Sequence, residues 1–342
     1  MGTKVTVIGS GSWGTTLALL TARKGLPTLL WARTAEEASI LRTDNENKRF
    51  LPGHTFPADL TVTADLAEAL PSDCRLVIFA SPTGSVRQNV KQALPYLQAI
   101  SPLPIVLSAA KGLEMDTLMR ISEVIAEEWA EGEAKGLICA LSGPNLAKEI
   151  ADGKPGATVI AGKNLEVTSE AQQIIMNRFF RVYTNSDVIG VELGGALKNI
   201  IALGAGLSDG LNAGDNAKGA FMTRGMAEIG RLGVAAGANP LTFLGLAGLG
   251  DMVATCASPY SRNRRVGELL AQGKSLAEIR GLLSQVAEGV FTTVAARKMA
   301  QKFGVQMPIT EQLYAVLFEN KPVIQAISEL MLRDPVQEMY GF

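Results

Sequence analysis

The apolar positions of this chain follow two regimes that change near Asp187. Before it, short continuous apolar runs alternate with stretches of helical period. Lys4 to Ile8 (KVTVI) reads as a strand, Thr15 to Arg23 as a helix and Thr28 to Ala32 as the next strand. Glu36 to Arg42 is helical in character. Asn45 to Asp59 is polar, carries Pro52, Gly53 and Pro57, and reads as a loop. Leu60 to Thr63, Arg75 to Ala80, Pro104 to Ser108, Leu137 to Leu141, Ala157 to Ala161 and Phe179 to Tyr183 supply further strands. Ser85 to Leu97 and Leu118 to Trp129 supply helices between them. Beyond Asp187 the period is helical. It covers Val188 to Leu207, Ala217 to Ala236, Arg264 to Ala271, Val290 to Lys302, Thr310 to Glu319 and Pro322 to Leu332. Strands alternating with helices build a mostly parallel sheet covered on both faces. The pattern predicts an α/β domain over residues 1–187, followed by an all-α domain over residues 188–342.

Composition narrows the function classes. A length of 342 residues suits two domains. Hydrophobic residues at 47% and a net charge of -1 exclude a disordered chain and give no basic footprint for nucleic acid. Cys74, Cys139 and Cys256 lie far apart without a CxxC, which fits a reducing, cytoplasmic setting rather than a disulfide framework. A single histidine, His54, argues against a zinc site, so no metal is expected. General acid–base work then falls to His54, a carboxylate, Lys, Tyr or Cys. His54 stands in the Pro/Gly loop and reads as a surface residue. The N-terminus lacks the pattern of a signal peptide. Leu232 to Gly250 is uncharged for 19 residues, but Asn239-Pro240 and five glycines break it. It reads as buried helical pieces, with no integral membrane segment.

Gly9, Gly11 and Gly14 satisfy GxGxxG between a strand and a helix, the setting a dinucleotide requires. Gly9 makes the tight turn, Gly11 admits a pyrophosphate and Gly14 lets helix pack on strand. The helix start adds free N–H groups and a positive dipole end. The first domain is therefore Rossmann-like. At the end of the second strand, where an NAD site carries an acid, the chain has Arg33. A guanidinium suits a 2′-phosphate. The expectation is NADP(H) preferred, with NAD(H) also accepted.

Lys198 lies among small and apolar residues on the first long helix of the second half. Two readings stand there. Burial would make it a proton donor or acceptor; alternatively, its stem lies on the core and its head reaches water. Asp251, Thr255 and the run Ser261-Arg262-Asn263 follow. That run opens a helix and reads either as a phosphate pocket or as an N-cap with solvated arginines. Cys256 reads as a small buried apolar residue.

These blocks appear in a fixed order with others: GSGSWGTTLA, Ser108-Ala-Ala-Lys111-Gly, Leu141-Ser-Gly143-Pro-Asn145-Leu-Ala147-Lys-Glu, Glu192-Leu-Gly-Gly-Ala-Leu-Lys198-Asn, Gly248-Leu-Gly-Asp251, Ser261-Arg-Asn-Arg-Arg and Ala287-Glu288-Gly289. From about residue 4 to residue 330 the chain resembles the bacterial-type NAD(P)-dependent glycerol-3-phosphate dehydrogenases. The resemblance implies that Lys198 transfers the proton. It implies that Lys111, Gly143, Asn145, Asp251, Thr255, Ser261, Arg262 and Asn263 meet the substrate, with Arg262 and Asn263 at its phosphate. Gly9, Gly11, Ser12, Trp13, Gly14, Arg33, Lys111, Ala147, Arg262 and Glu288 would meet the cofactor. Asn145 departs from the small hydroxyl residue common at that position. The resemblance further implies reduction of dihydroxyacetone phosphate to sn-glycerol 3-phosphate for glycerophospholipid synthesis, by a homodimer. Two other readings are a 3-hydroxyacid or ketopantoate-type reductase, and a dinucleotide-binding sensor without turnover.

Overall fold

The structure, a computed structural model, describes residues 3–129, 132–282 and 287–338. The chain forms two compact units. One comprises the residues up to Ala110 together with Ile121–Val188; the other comprises Lys111–Arg120 together with the chain from Ile189 onward. The extremes of the sequence-derived domain ranges, residues 1–2 and 339–342, lie outside the described residues.

Among the described residues, the first unit holds ten strands: β1 Lys4–Ile8, β2 Thr28–Trp31, β3 Glu46–Asn47, β4 Leu51–Thr55, β5 Leu60–Thr63, β6 Cys74–Phe79, β7 Ile105–Ser108, β8 Ile138–Ser142, β9 Gly156–Ala161 and β10 Phe180–Asn185. Eight of them form one sheet in the order β10-β9-β8-β7-β6-β1-β2-β5. All its pairings are parallel except β8 with β9. Helices on both faces bury the central strands on both sides, which explains the continuous apolar runs. The chain leaves β1 for β2 on one side and later returns to β6 on the other. The carboxyl end of β1 is thus a topological switch point, where such sheets bind ligands.

The stretch Asn45 to Asp59, expected to be a loop, contains the antiparallel ribbon β3–β4. A two-residue strand facing a Pro-Gly strand has no alternation to read. His54, expected at the surface, is only 8% exposed. Its Nε2 lies 3.3 Å from Asp152 Oδ1, a partner that sequence proximity could not supply. The helix expected from Leu118 begins at Ile121 instead. Leu118 has φ 61°, and Leu113 bridges Arg120, so the residues from Lys111 fold back on themselves within the other unit. The range 1–187 expected for the α/β domain includes them.

The helical unit is organised around Val188–Gly210, in which every residue from Gly190 to Leu207 is buried. By length and composition this helix could cross a membrane, but 89% of its apolar window is buried inside the protein. Glycines let a second helix, Arg262–Ala271, cross it closely. A Cβ on Gly206 would stand 1.9 Å from the Arg264 carbonyl oxygen, and one on Gly267 would stand 2.0 Å from that of Leu203. The uncharged stretch Leu232 to Gly250 is broken as expected. The helix Asp215–Ala235 ends before Gly237, and a 3-10 turn Pro240–Leu244 and a π turn Leu246–Gly250 follow. Asp251–Ala257 and Leu276–Leu282 are short helices that the periodicity did not disclose.

One buried acid ties two of these helices together. Glu228 accepts from the backbone N–H groups of Ile309 and Thr310 at 2.6 and 3.2 Å, at the start of helix Pro308–Phe318. Burial pushes its carboxyl up to about 7, against the pull of those N–H donors. Replacing it with alanine strands those donors and opens a cavity. Glu228→Ala is expected to cost about 2–4 kcal/mol in urea unfolding. Because the folded group titrates near 7 rather than at 4.5, the folded state holds the extra proton between those values. Its contribution to stability is therefore complete below pH 4.5 and is lost as pH rises through 7. Glu228→Gln should remove that part of the slope; an unchanged slope would assign it to another group.

Candidate active site

The glycine loop follows β1 directly. Gly14 packs so closely that a Cβ there would stand 1.9 Å from the Gly9 carbonyl oxygen. Gly9 has φ 118°, and its Cβ would meet the Ser81 nitrogen, in the loop after β6, at 2.8 Å. Gly11, by contrast, faces open space. The helix Ser12–Ala22 starts there without a side-chain cap, so its first N–H groups point outward. These features fit a dinucleotide pyrophosphate. Trp13 rests its ring edge-on against Phe180, and its buried Nε1 lacks a partner among the described residues. Arg33 is exposed just after β2. The Ala147 carbonyl accepts from Thr16 on the loop's helix at 3.2 Å, which brings Ala147 to this helix as well.

Further along the same sheet edge, the carboxyl ends of β7 and β8 carry buried polar atoms without partners among the described residues: Ser108 Oγ, Ser142 Oγ and Asn145 Oδ1. Asn145 uses only its amide nitrogen, donating to Thr158 Oγ1 at 3.0 Å. Its oxygen remains an acceptor for a hydroxyl. Gly143, at φ 146°, runs so close to Thr158 that a Cβ would lie 3.0 Å from its Cα.

In the helical unit, the sequence-derived set converges on one carboxylate. Lys198 Nζ donates to Asp251 Oδ1 at 2.7 Å and to Thr255 Oγ1 at 2.5 Å. Lys111 Nζ donates to the other oxygen, Oδ2, at 2.7 Å. Thr255 lies one turn after Asp251, which places both side chains on one helix face. The π turn Leu246–Gly250 immediately before Asp251 sets that face, and Gly194 lets Ala247 approach the lysine's own helix. Lys198 is 6% exposed and Asp251 1%. The buried reading of Lys198 therefore holds over the snorkelling one. Burial, reinforced by the nearby Lys198 charge and opposed by Asp251, brings the Lys111 ammonium down to about 8. The two lysines thus share the Asp251 carboxylate, one on each oxygen.

A second chain of contacts supports the first. Asn199, not singled out from sequence, sits next to Lys198 and accepts from Asn263 Nδ2 at 2.9 Å. Asn263 Oδ1 in turn accepts from the Gly289 N–H at 2.9 Å, beside Glu288. The Asn263 amide thus joins Asn199 to Gly289, with a second Nδ2 hydrogen left over. Ser261 caps the helix Arg262–Ala271 by accepting from Arg264 N at 3.2 Å. Arg262 occupies the first turn and is exposed. Arg120 and Glu192, also missed from sequence, pair at 2.7 Å. Cys256 is buried, and burial pushes its thiol up to about 12, which leaves it protonated and unreactive.

A strand, a closely packed glycine loop and an uncapped helix start in one unit, with a buried lysine–carboxylate set in the other, are features shared with dinucleotide-dependent oxidoreductases. Residues 4–168 match the family described as NAD-dependent glycerol-3-phosphate dehydrogenase N-terminus, and residues 187–328 match its C-terminus. Glycerol-3-phosphate dehydrogenase (NAD(P)+) of Geobacter metallireducens is 49% identical over 338 residues, covering 99% of each chain. The enzyme of the same name from Pelotomaculum thermopropionicum is 47% identical over 99% of this chain and 96% of its own. The crystal structure of glycerol-3-phosphate dehydrogenase from Coxiella burnetii is 35% identical, with a TM-score of 0.90 over 97% of this chain and 99% of that one. The chain belongs to the NAD(P)-dependent glycerol-3-phosphate dehydrogenase family and is an oxidoreductase of that class.

Proposed function

We propose that this enzyme interconverts dihydroxyacetone phosphate and sn-glycerol 3-phosphate, with Lys198 carrying the proton and NADP(H) preferred over NAD(H). The observation that carries the reading is the buried Lys198, held by Asp251 and Thr255 on a helix that its own glycines allow to be approached closely. Bound NAD(P)H supplies a hydride from its nicotinamide C4. Lys198 gives a proton to the substrate oxygen as alkoxide character develops, and takes it back in reverse. Lys111 adds positive charge at that oxygen. Asp251 fixes both ammonium groups through separate oxygens. Asn145 Oδ1 accepts a substrate hydroxyl. Arg262 and the capped helix start hold the phosphate, so that remote binding energy orients the carbonyl. The exposed Arg33 favours a 2′-phosphate. Family membership supports a cytoplasmic homodimer that supplies glycerophospholipid synthesis.

The test is to follow NADPH and NADH oxidation in parallel with dihydroxyacetone phosphate and with unphosphorylated ketone and keto acids. Oxidation that depends on the phosphate ester supports the reading. Oxidation with a keto acid alone would assign the chain to the related reductases. Bound cofactor without turnover of any substrate would point to a sensor.

The Lys111 environment adds a pH expectation. Below about 8 the group is an ammonium; above it the proton is lost. Reduction of the ketone should therefore fall as pH rises through 8, and Lys111→Met should lack that limb. A wild-type alkaline limb retained by the variant would exclude Lys111 as its source.

A further inference from the structure

The acid that an NAD site places at the end of its second strand is missing here, since Arg33 occupies that position. The structure supplies a carboxylate from elsewhere. Glu37 stands in the first turn of helix Ala35–Asp44, whose N-cap, Thr34, accepts from the Glu37 backbone N–H at 3.1 Å. Its side chain turns back to the glycine loop, where Ser10 Oγ donates to Glu37 Oε1 at 2.6 Å. Ser10 lies between Gly9 and Gly11. From below it is held by Asn47, whose Nδ2 donates to the Ser10 carbonyl and to Thr15 Oγ1, each at 2.8 Å. The carboxylate is therefore fixed between the loop that takes the pyrophosphate and the strand end that takes the adenosine ribose. Oxygen Oε2 makes no hydrogen bond or ion pair among the described residues.

We infer that Glu37 replaces the absent strand-end acid: its carboxylate accepts from the adenosine ribose hydroxyls of NAD(H) and opposes the 2′-phosphate of NADP(H). This rests on the dinucleotide reading of the loop. Arg33 and Glu37 then form an opposed pair, the cation serving one cofactor and the anion the other. A 2′-phosphate cannot donate to a carboxylate and repels it, whereas a 2′-hydroxyl donates to it. The double usage of cofactor in this family has a local electrostatic origin in this chain.

The experiment is an equilibrium titration of the purified protein with NADH and with NADPH, read by nicotinamide fluorescence and without substrate. Glu37→Gln keeps the shape and removes the charge. It should weaken NADH binding about tenfold while leaving NADPH unchanged or tighter, the size expected for one charge-assisted hydrogen bond. Ser10→Ala removes the loop contact but keeps the carboxylate, and should hold the ratio of the two constants near that of the wild type. Parallel weakening of both cofactors in Glu37→Gln would reduce Glu37 to a brace for the loop and overturn the proposal. So would a Ser10→Ala ratio that moves as far as that of Glu37→Gln. A wild-type protein that binds neither cofactor would sink the dinucleotide reading itself, whereas normal wild-type binding with an unmoved ratio would sink only the role of Glu37.

Discussion

Lys198→Met should lower turnover by about a thousandfold or more while leaving cofactor binding intact, because it removes a proton donor and a buried positive charge together. Methionine keeps the apolar stem that packs in the helix Val188–Gly210, so the fold loses little volume. The loss should appear in kcat and kcat/KM alike, since the interaction is strongest where negative charge develops on the substrate oxygen. Fluorescence titration with NADPH gives the control. Turnover within a few-fold of the wild type would remove Lys198 from the proton-transfer step and return it to a structural role.

Asp251→Asn carries the second large effect, for a different reason. The carboxylate offers one oxygen to Lys198 and the other to Lys111. Asparagine keeps one acceptor and turns a donor towards the second ammonium. It also removes the charge that opposes proton loss from Lys111, so that group should titrate below its present value of about 8. A fall of about a hundredfold in kcat/KM is expected, with the alkaline limb of ketone reduction displaced to lower pH. A pH profile that keeps its shape would show that Asp251 does not control the charge of Lys111. Asp251→Ala strips both lysines of their acceptor and should cost about 3–5 kcal/mol of stability, as breaking a buried pair does.

The legible parts of this molecule were those written locally. Strand-then-glycines-then-helix from Lys4 onward is contained in about twenty residues, and the change of period at Asp187 is a long-window signal. Residue type and block order point to Lys198, Asp251 and Thr255, and the structure joins them through hydrogen bonds that cross 53 and 57 positions of sequence. What escaped was decided at a distance or by non-periodic backbone. His54 is buried beside Asp152, nearly a hundred positions later. The π turn before Asp251 has no residue pattern of its own. Glu37 lies in a stretch whose period shows only a helix, and nothing local to it reveals that Ser10, 27 positions earlier, is its partner.

The return of Lys111–Arg120 to the helical unit bears on how the chain is made. Leu113 belongs to a core whose other buried members begin at Leu193, and Met115 and Leu118 pack against that core. During synthesis that short piece emerges well before the helices it must join, and it is followed by the strands that complete the sheet. The helical unit therefore cannot finish as an independent C-terminal product of the ribosome. It closes only by recapturing a segment made earlier, and a gene fragment starting at Ile189 would encode a protein lacking part of its own interior.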